Sequence, residues 1–100
     1  MRILLAAVNA PKGDLDGNLA RHLAVLGQAR AQGCEVAVFP ELSLTGSVDP
    51  RRHPERALAL DAEPVRALLE GTRRAGVAAV FGIAERAGSA FHITQAYGHS

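Results

Sequence analysis

Glu41 is the residue that the sequence places best for chemistry. It follows Glu35–Phe39 (EVAVF), an apolar run ended by Pro40, so a carboxylate is projected from the end of a strand by a residue that fixes its own φ. Burial at such a strand end removes hydration and raises a carboxylate's pKa, which suits a general base working near neutrality. The competing role is structural: Glu41 could cap the following Leu42-Ser43-Leu44-Thr45 turn or pair with an arginine. Cys34 is the only thiol and stands at the beginning of the same strand. At about 3.3 Å per extended residue it lies roughly 15–20 Å from Glu41, far beyond the ~3 Å at which a base takes a nucleophile's proton. It reads as a small buried residue beside a helix stop. Lys12, the only lysine, shares Glu41's sheet edge, which leaves it either a partner for the carboxylate or a solvated loop residue. Glu85-Arg86 reads first as an opposite-charge pair entering a turn.

The other chemically capable side chains form no constellation. His22 and His53 read as solvated, one on a helix and one in a polar loop, while His92 lies in an alternating strand and His99 near the last residue. No Cys/His or Asp/His spacing builds a closed ligand set, so no metal is expected. Gly13 and Gly17 form neither a G-x-G-x-x-G nor a P-loop pattern, and no cofactor is expected.

The elements that must position Glu41 follow from periodicity and punctuation. Ile3–Val8 (ILLAAV) is a continuous apolar run, read as a strand buried on both faces. From Asp14 to Gln32 the period is helical, with Leu15, Leu19, Leu23, Leu26 and Ala29 on one stripe, Asp16 or Asn18 as the cap and Gly33 as the stop. The strand Glu35–Phe39 is followed by a Gly/Pro/Asp loop with a short helical turn at Glu55–Leu60. Glu63-Pro64 opens a second helix, whose inner stripe is Val65, Leu68, Leu69 and Thr72 and whose stop is Gly76. Val77–Ile83 is a third buried strand, Glu85–Ser89 a turn, and Ala90–Tyr97 a fourth strand. This β-α-β-α-β-β order requires a mostly parallel α/β sheet with right-handed crossovers and an antiparallel edge. Ligands of such sheets sit outside the carboxyl ends of the strands, where Asn9–Gly13, Pro40–Gly46 and Gly82–Arg86 converge.

Composition narrows the class. The 100 residues are 48% hydrophobic and 21% charged, as in a globular domain, and 11 basic against 10 acidic residues leave a net charge of +1. With that balance and only four aromatic residues, nucleic-acid binding is not expected. No apolar run reaches the roughly 18–20 residues of a membrane span. The apolar stretch after Met1-Arg2 is too short for a secretory leader and lacks an Ala-x-Ala site, and one cysteine suits a reducing compartment; a cytoplasmic location is the expectation.

Phe39-Pro40-Glu41-Leu42-Ser43-Leu44-Thr45-Gly46 resembles the glutamate signature of the nitrilase superfamily, the carbon–nitrogen hydrolases. The resemblance extends to Pro11-x-Gly13-Asp14-x-x-x-Asn18 after the first strand and to Gly82-Ile83-Ala84-Glu85-Arg86, similar to the family's G-x-x-E-R segment; Phe91–Gln95 stands where the family's next strand carries an asparagine. Two positions depart from the pattern: Ser47 replaces an aromatic residue common after Thr-Gly, and Asn9 stands where glutamine is common.

The resemblance implies that residues 1–100 are the N-terminal part of a carbon–nitrogen hydrolase domain, within an α-β-β-α sandwich whose second sheet covers the first. It further implies a Glu–Lys–Cys triad acting on a small-molecule amide or nitrile, with Glu41 as general base. The family's lysine and cysteine fall beyond Ser100, so this stretch alone is expected to be inactive. Homo-oligomers built through the sandwich are a further implication, and the substrate is left open. The alternatives are a small flavodoxin-like or receiver-like binding module and a truncated non-catalytic relative. A receiver needs an acidic pair after strand one, where this chain has Asn9-Ala10-Pro11.

Overall fold

In the computed structural model, which describes residues Met1–Ser100, strands β1 (Ile3–Leu5), β2 (Val36–Val38), β3 (Ala78–Ala87) and β4 (Ala90–Gly98) form one sheet in the order β1-β2-β3-β4. Helix α1 (Leu15–Ala31) joins β1 to β2 and α2 (Glu63–Ala75) joins β2 to β3. The β1–β2 and β2–β3 pairs are parallel and β3–β4 is antiparallel, as the sequence requires. A sheet that grows in one direction through right-handed crossovers carries both helices on one face. The core lies between that face and the helices: Leu26 and Ala29 of α1, Val65 and Leu68 of α2, and Ala37 and Phe81 of the sheet are buried together.

Local signals account for the helix boundaries. Asp14 caps α1, its carboxylate accepting from the Gly17 N–H at 3.2 Å, and Gly33 follows the helix with φ 72°. Pro64 occupies the first turn of α2, where its missing N–H has no helical partner to lose. Gly76 ends α2 in the left-handed region with φ 66°, and its N–H is donated to Thr72 O. Where the helices cross, Gly71 leaves room for the Leu23 side chain, which a Cβ would strike.

Four sequence expectations are corrected. Asn18 and Asp16 do not cap α1; Asn18 is buried four residues inside the helix start. The first strand is shorter than Ile3–Val8 and is buried on one face only, with Leu4, Ala6 and Val8 against the core and Ile3 and Leu5 exposed. No element covers the face to which Ile3 and Leu5 belong. The third strand continues through Glu85-Arg86, and the turn is confined to Gly88-Ser89, with Gly88 at φ 62°. The helical turn in the long loop is a 3₁₀ turn at Pro54–Arg56 rather than a segment reaching Leu60.

Candidate functional site

The segment after β2 is built to hold a turn against the exposed edge of β3. Phe39 N–H still bonds Val80 O at 2.8 Å, and Pro40 then ends the ladder. Beyond that point the edge of β3 has no strand partner, and the Ser43-Leu44-Thr45 segment supplies the missing groups. Gly82 N–H donates to Ser43 Oγ at 3.1 Å, Leu44 N–H donates to Gly82 O at 2.9 Å, and Ala84 N–H donates to Thr45 Oγ1 at 3.0 Å. Two hydroxyls thus satisfy buried amides that would otherwise be orphaned. The alternation is its own explanation: Ser43 and Thr45 face the strand edge while Leu44, fully buried, enters the core. Farther along, Leu58 completes the same edge, its N–H bonding Ala84 O and its O accepting from Arg86 N–H, both at 2.8 Å.

Close approach fixes the turn from two further sides. A Cβ on Gly82 would overlap Leu42 N and lie 2.9 Å from Glu41 C, so the Glu41–Leu42 peptide rests directly on the Cα of Gly82. Phe81 and Ile83 point to the helices, so this contact is on the sheet's uncovered face. A Cβ on Gly46 (φ 75°) would lie 2.8 Å from both Lys12 Cα and Pro11 O, which locks the turn to the loop after β1. Gln95 of β4 reaches across and donates from Nε2 to Phe39 O at 3.0 Å. Within this frame Leu42 has φ 57°, the one non-glycine residue in the left-handed region. Such a conformation costs about 1–3 kcal/mol and persists only where surrounding contacts over-determine it, a condition common at functional sites.

Glu41 stands on this turn with its side chain exposed. It has neither of the structural roles weighed for it: its carboxylate caps nothing, and the ion pairs of the chain are Arg21–Asp14, His53–Glu55, Arg73–Glu70 and Arg74–Glu70. The burial expected of Glu41 is absent, because the turn lies on the face that nothing covers. Beside it a cleft of about 630 Å³ runs over Ala84, between Leu42 and Val48 on one side and Phe91 and Ile93 on the other. Lys12 is exposed at the same end of the sheet, while Cys34, half-buried, lies at the opposite end of β2 beside Arg2 and Gln32. Glu85 and Arg86 alternate across β3, and Glu85 accepts from Thr94 Oγ1 at 2.7 Å. No group of three or more His, Cys, Asp or Glu side chains is arranged to hold a metal ion.

Beneath the turn lies a polar cluster that hydrophobic patterning missed. His22, expected to be solvated, is fully buried and stacks on Phe39 with ring centroids 4.2 Å apart. Its Nδ1 lies 2.6 Å from Asn18 O, which can only accept, so Nδ1 carries the hydrogen. Nε2 is therefore the acceptor for the Ser43 hydroxyl at 2.9 Å, and Ser43 Oγ in turn accepts from Gly82 N–H. This network satisfies a neutral imidazole, and burial above all holds the His22 pKa below its ordinary value, the Arg21 charge adding to it against the opposing bond to Asn18 O. A Ser–His pair at this distance has the geometry of a nucleophile and base, but Ser43 is 1% exposed and its oxygen is already engaged by Gly82. Asn18 Nδ2 completes the cluster, donating to Pro11 O and Leu44 O at 3.0 Å each. The available signal was period: Asn18 and His22 share the helix face of Leu26 and Ala29.

Comparison with known proteins places this arrangement among relatives. A family profile described as carbon–nitrogen hydrolase matches residues 4–97. An aliphatic nitrilase of Rhodococcus rhodochrous is 31% identical over 87 residues, covering 73% of this chain and 24% of the nitrilase. The solved amidase of Nesterenkonia sp. AN1, from the nitrilase superfamily, superposes with a TM-score of 0.82 at 26% identity, over 99% of this chain and 38% of that one. A glutamine-dependent NAD(+) synthetase from Cytophaga hutchinsonii shares the fold, with a TM-score of 0.78 at 20% identity. The chain therefore spans well under half the length of each.

Proposed function

The chain belongs to the carbon–nitrogen hydrolase family, of nitrilase and amidase type, and from that premise we propose that Glu41 is the general base of a hydrolase acting on a non-peptide amide or nitrile. Residues 1–100 form the N-terminal part of its catalytic domain. The remainder supplies a lysine, a nucleophilic cysteine and the second sheet of the sandwich. Glu41 takes the proton of the cysteine thiol, the thiolate attacks the substrate carbon, and the lysine stabilises the charge that develops there. With an amide the adduct collapses to a thioester as protonated Glu41 returns its proton to the departing ammonia or amine; with a nitrile the first product is a thioimidate, which one water converts to the same thioester with loss of ammonia. A further water, deprotonated by Glu41, then attacks the thioester, releasing the acid and restoring the thiol. Cover from the second sheet encloses Glu41 with the lysine and the cysteine and excludes bulk water from the reacting groups.

The observation that carries this reading is the exposed, unpaired Glu41 carboxylate on a turn fixed at Ser43, Leu44, Gly46 and Gly82. Groups held in that way and left without a structural partner are available for chemistry. The Nesterenkonia amidase supports it: mutants of that enzyme have been solved in complex with acrylamide and with butyramide, and in one mutant acrylamide has added to the active-site cysteine. Small amides are accordingly the first substrates to try. We further propose a cytoplasmic location, in keeping with a single free cysteine, and a homo-oligomer built through the sandwich.

The test is Glu41→Gln in the protein that carries this chain. The variant should keep a melting temperature close to that of the wild type, since residues 1–100 give the carboxylate no structural partner, and should lose about 10²–10⁴-fold in kcat. Wild-type turnover would show Glu41 to be structural. Residues 1–100 alone should hydrolyse nothing; thiol-dependent turnover abolished by Cys34→Ala would overturn the assignment of the nucleophile to the remainder.

A further inference from the structure

We propose that His22 is a positioning residue for the Glu41 carboxylate, acting through Ser43; this rests on the functional reading above. Nothing in the hydrolytic chemistry needs a buried imidazole in α1. Yet His22 makes one direct contact with the turn that carries Glu41, and makes it at a junction. Ser43 Oγ must accept from Gly82 N–H, and it can present its lone pair there only if its own hydrogen points elsewhere. His22 Nε2, 2.9 Å away, is the acceptor that draws the hydrogen off. The imidazole is itself fixed, by Asn18 O on Nδ1 and by the Phe39 ring against its face.

The consequence reaches Glu41 through the backbone. Leu42, between Glu41 and Ser43, has φ 57° and relaxes toward negative φ once its neighbours permit. The Ser43–Gly82 bond and the seat of the Glu41–Leu42 peptide on the Cα of Gly82 oppose that relaxation, beside the backbone bonds from Ser43 N–H to Pro40 O at 3.2 Å and from Gly46 N–H to Leu42 O at 2.8 Å. Without an acceptor at Nε2, Ser43 has a buried hydroxyl hydrogen with nowhere to go, and its bond to Gly82 no longer has a single orientation. The 41–42 peptide then turns and the carboxylate moves with it. A misplacement of about 1 Å in a catalytic group costs about 10²-fold in rate. Residues 1–100 give the Glu41 side chain no contact of its own to correct the error.

The experiment measures kcat and KM for amide hydrolysis by the protein carrying this chain, well below each variant's melting temperature, with rates referred to titrated active-site thiol. His22→Phe keeps the stack on Phe39 and removes the acceptor; Ser43→Ala removes the hydroxyl. Each should lower kcat about 10- to 100-fold with KM within about twofold, and the double variant should be no slower than the worse single one. His22→Gln, whose side-chain carbonyl can accept from Ser43, should recover most of the rate. A purely structural His22 predicts instead lower stability with wild-type kcat per folded site, or equal losses for Phe and Gln; either result overturns the proposal. If His22→Phe does not fold, Ser43→Ala carries the same test, and wild-type kcat there overturns it. Turnover that ignores Glu41→Gln, or no turnover in the wild type, overturns the functional reading and this inference together. Turnover that depends on Glu41 but not on His22 overturns this inference alone.

Discussion

His22 sits where a charge is hard to form, and that makes it a source of acid sensitivity as well as order. Burial holds its pKa below the ordinary 6.5. Between the folded and unfolded values the unfolded chain binds a proton that the folded chain refuses, so stability rises with pH through that window. The contribution is complete above about pH 6.5 and declines as pH falls below it, by up to about 1.4 kcal/mol per pH unit until the folded-state value is reached. The melting temperature should therefore drop between pH 7.5 and pH 5.5, and the drop should be smaller in His22→Gln, which cannot titrate. Thermal unfolding of both proteins at the two pH values checks this; equal drops would assign the acid sensitivity to other groups.

At the scale of elements, α1, the loop after β1 and the turn after β2 are tied by one side chain. Asn18 Nδ2 donates to Pro11 O and to Leu44 O, joining three segments far apart in sequence. Asn18→Ala removes both bonds, and with them the one that Asn18 Oδ1 accepts from Arg21 Nη2 at 3.0 Å, and leaves Leu44 O, at the centre of the turn, without that donor. Losing one buried and one part-buried bond of Nδ2 costs about 2–4 kcal/mol. Urea unfolding should show a midpoint lowered accordingly, with an unchanged slope. This tie also marks how far the sequence could be read. Gly33, Pro64 and Gly76 announce helix boundaries through backbone chemistry that is local, and Val65, Leu68 and Thr72 line α2 as its period requires. The place of Glu41, on the turn that follows β2, was legible because a strand, a proline and a carboxylate are adjacent in the chain. Asn18 and His22 were not, because a polar residue on an apolar stripe is identified only by its partner, and their partners, Leu44 and Ser43, lie in another element. Apolar runs likewise fix where a strand is but not which of its faces is covered, hence the reading of Ile3–Val8 as buried on both.

At the scale of the whole molecule, residues 1–100 form two layers, and one face of the sheet is left bare. Both helices cover one face of the sheet. The other face presents Ile3 and Leu5 of β1 and Ile93 and Tyr97 of β4, between 53% and 77% exposed, across the half-buried Val36, Val38 and Val80. Register places these residues on one surface: Leu5 pairs with Val38, Val38 with Val80 and Val80 with Tyr97. A contiguous apolar strip of that kind is a contact surface in waiting and an aggregation hazard when bare. The proposed domain assigns the second sheet of the sandwich to it, which yields opposite outcomes for one set of changes. Replacing Ile3, Leu5 and Ile93 by threonine keeps the strand preference and removes much of the apolar area. In residues 1–100 alone the triple variant should bind less of a hydrophobic dye and sediment closer to a monomer than the wild type. In the protein that carries the whole domain the same three changes should destabilise, by about 1–2 kcal/mol for each apolar side chain withdrawn from a core. Sedimentation and thermal unfolding of the two pairs check both arms. A whole domain indifferent to the changes would mean that the face is not covered by the rest of its own chain.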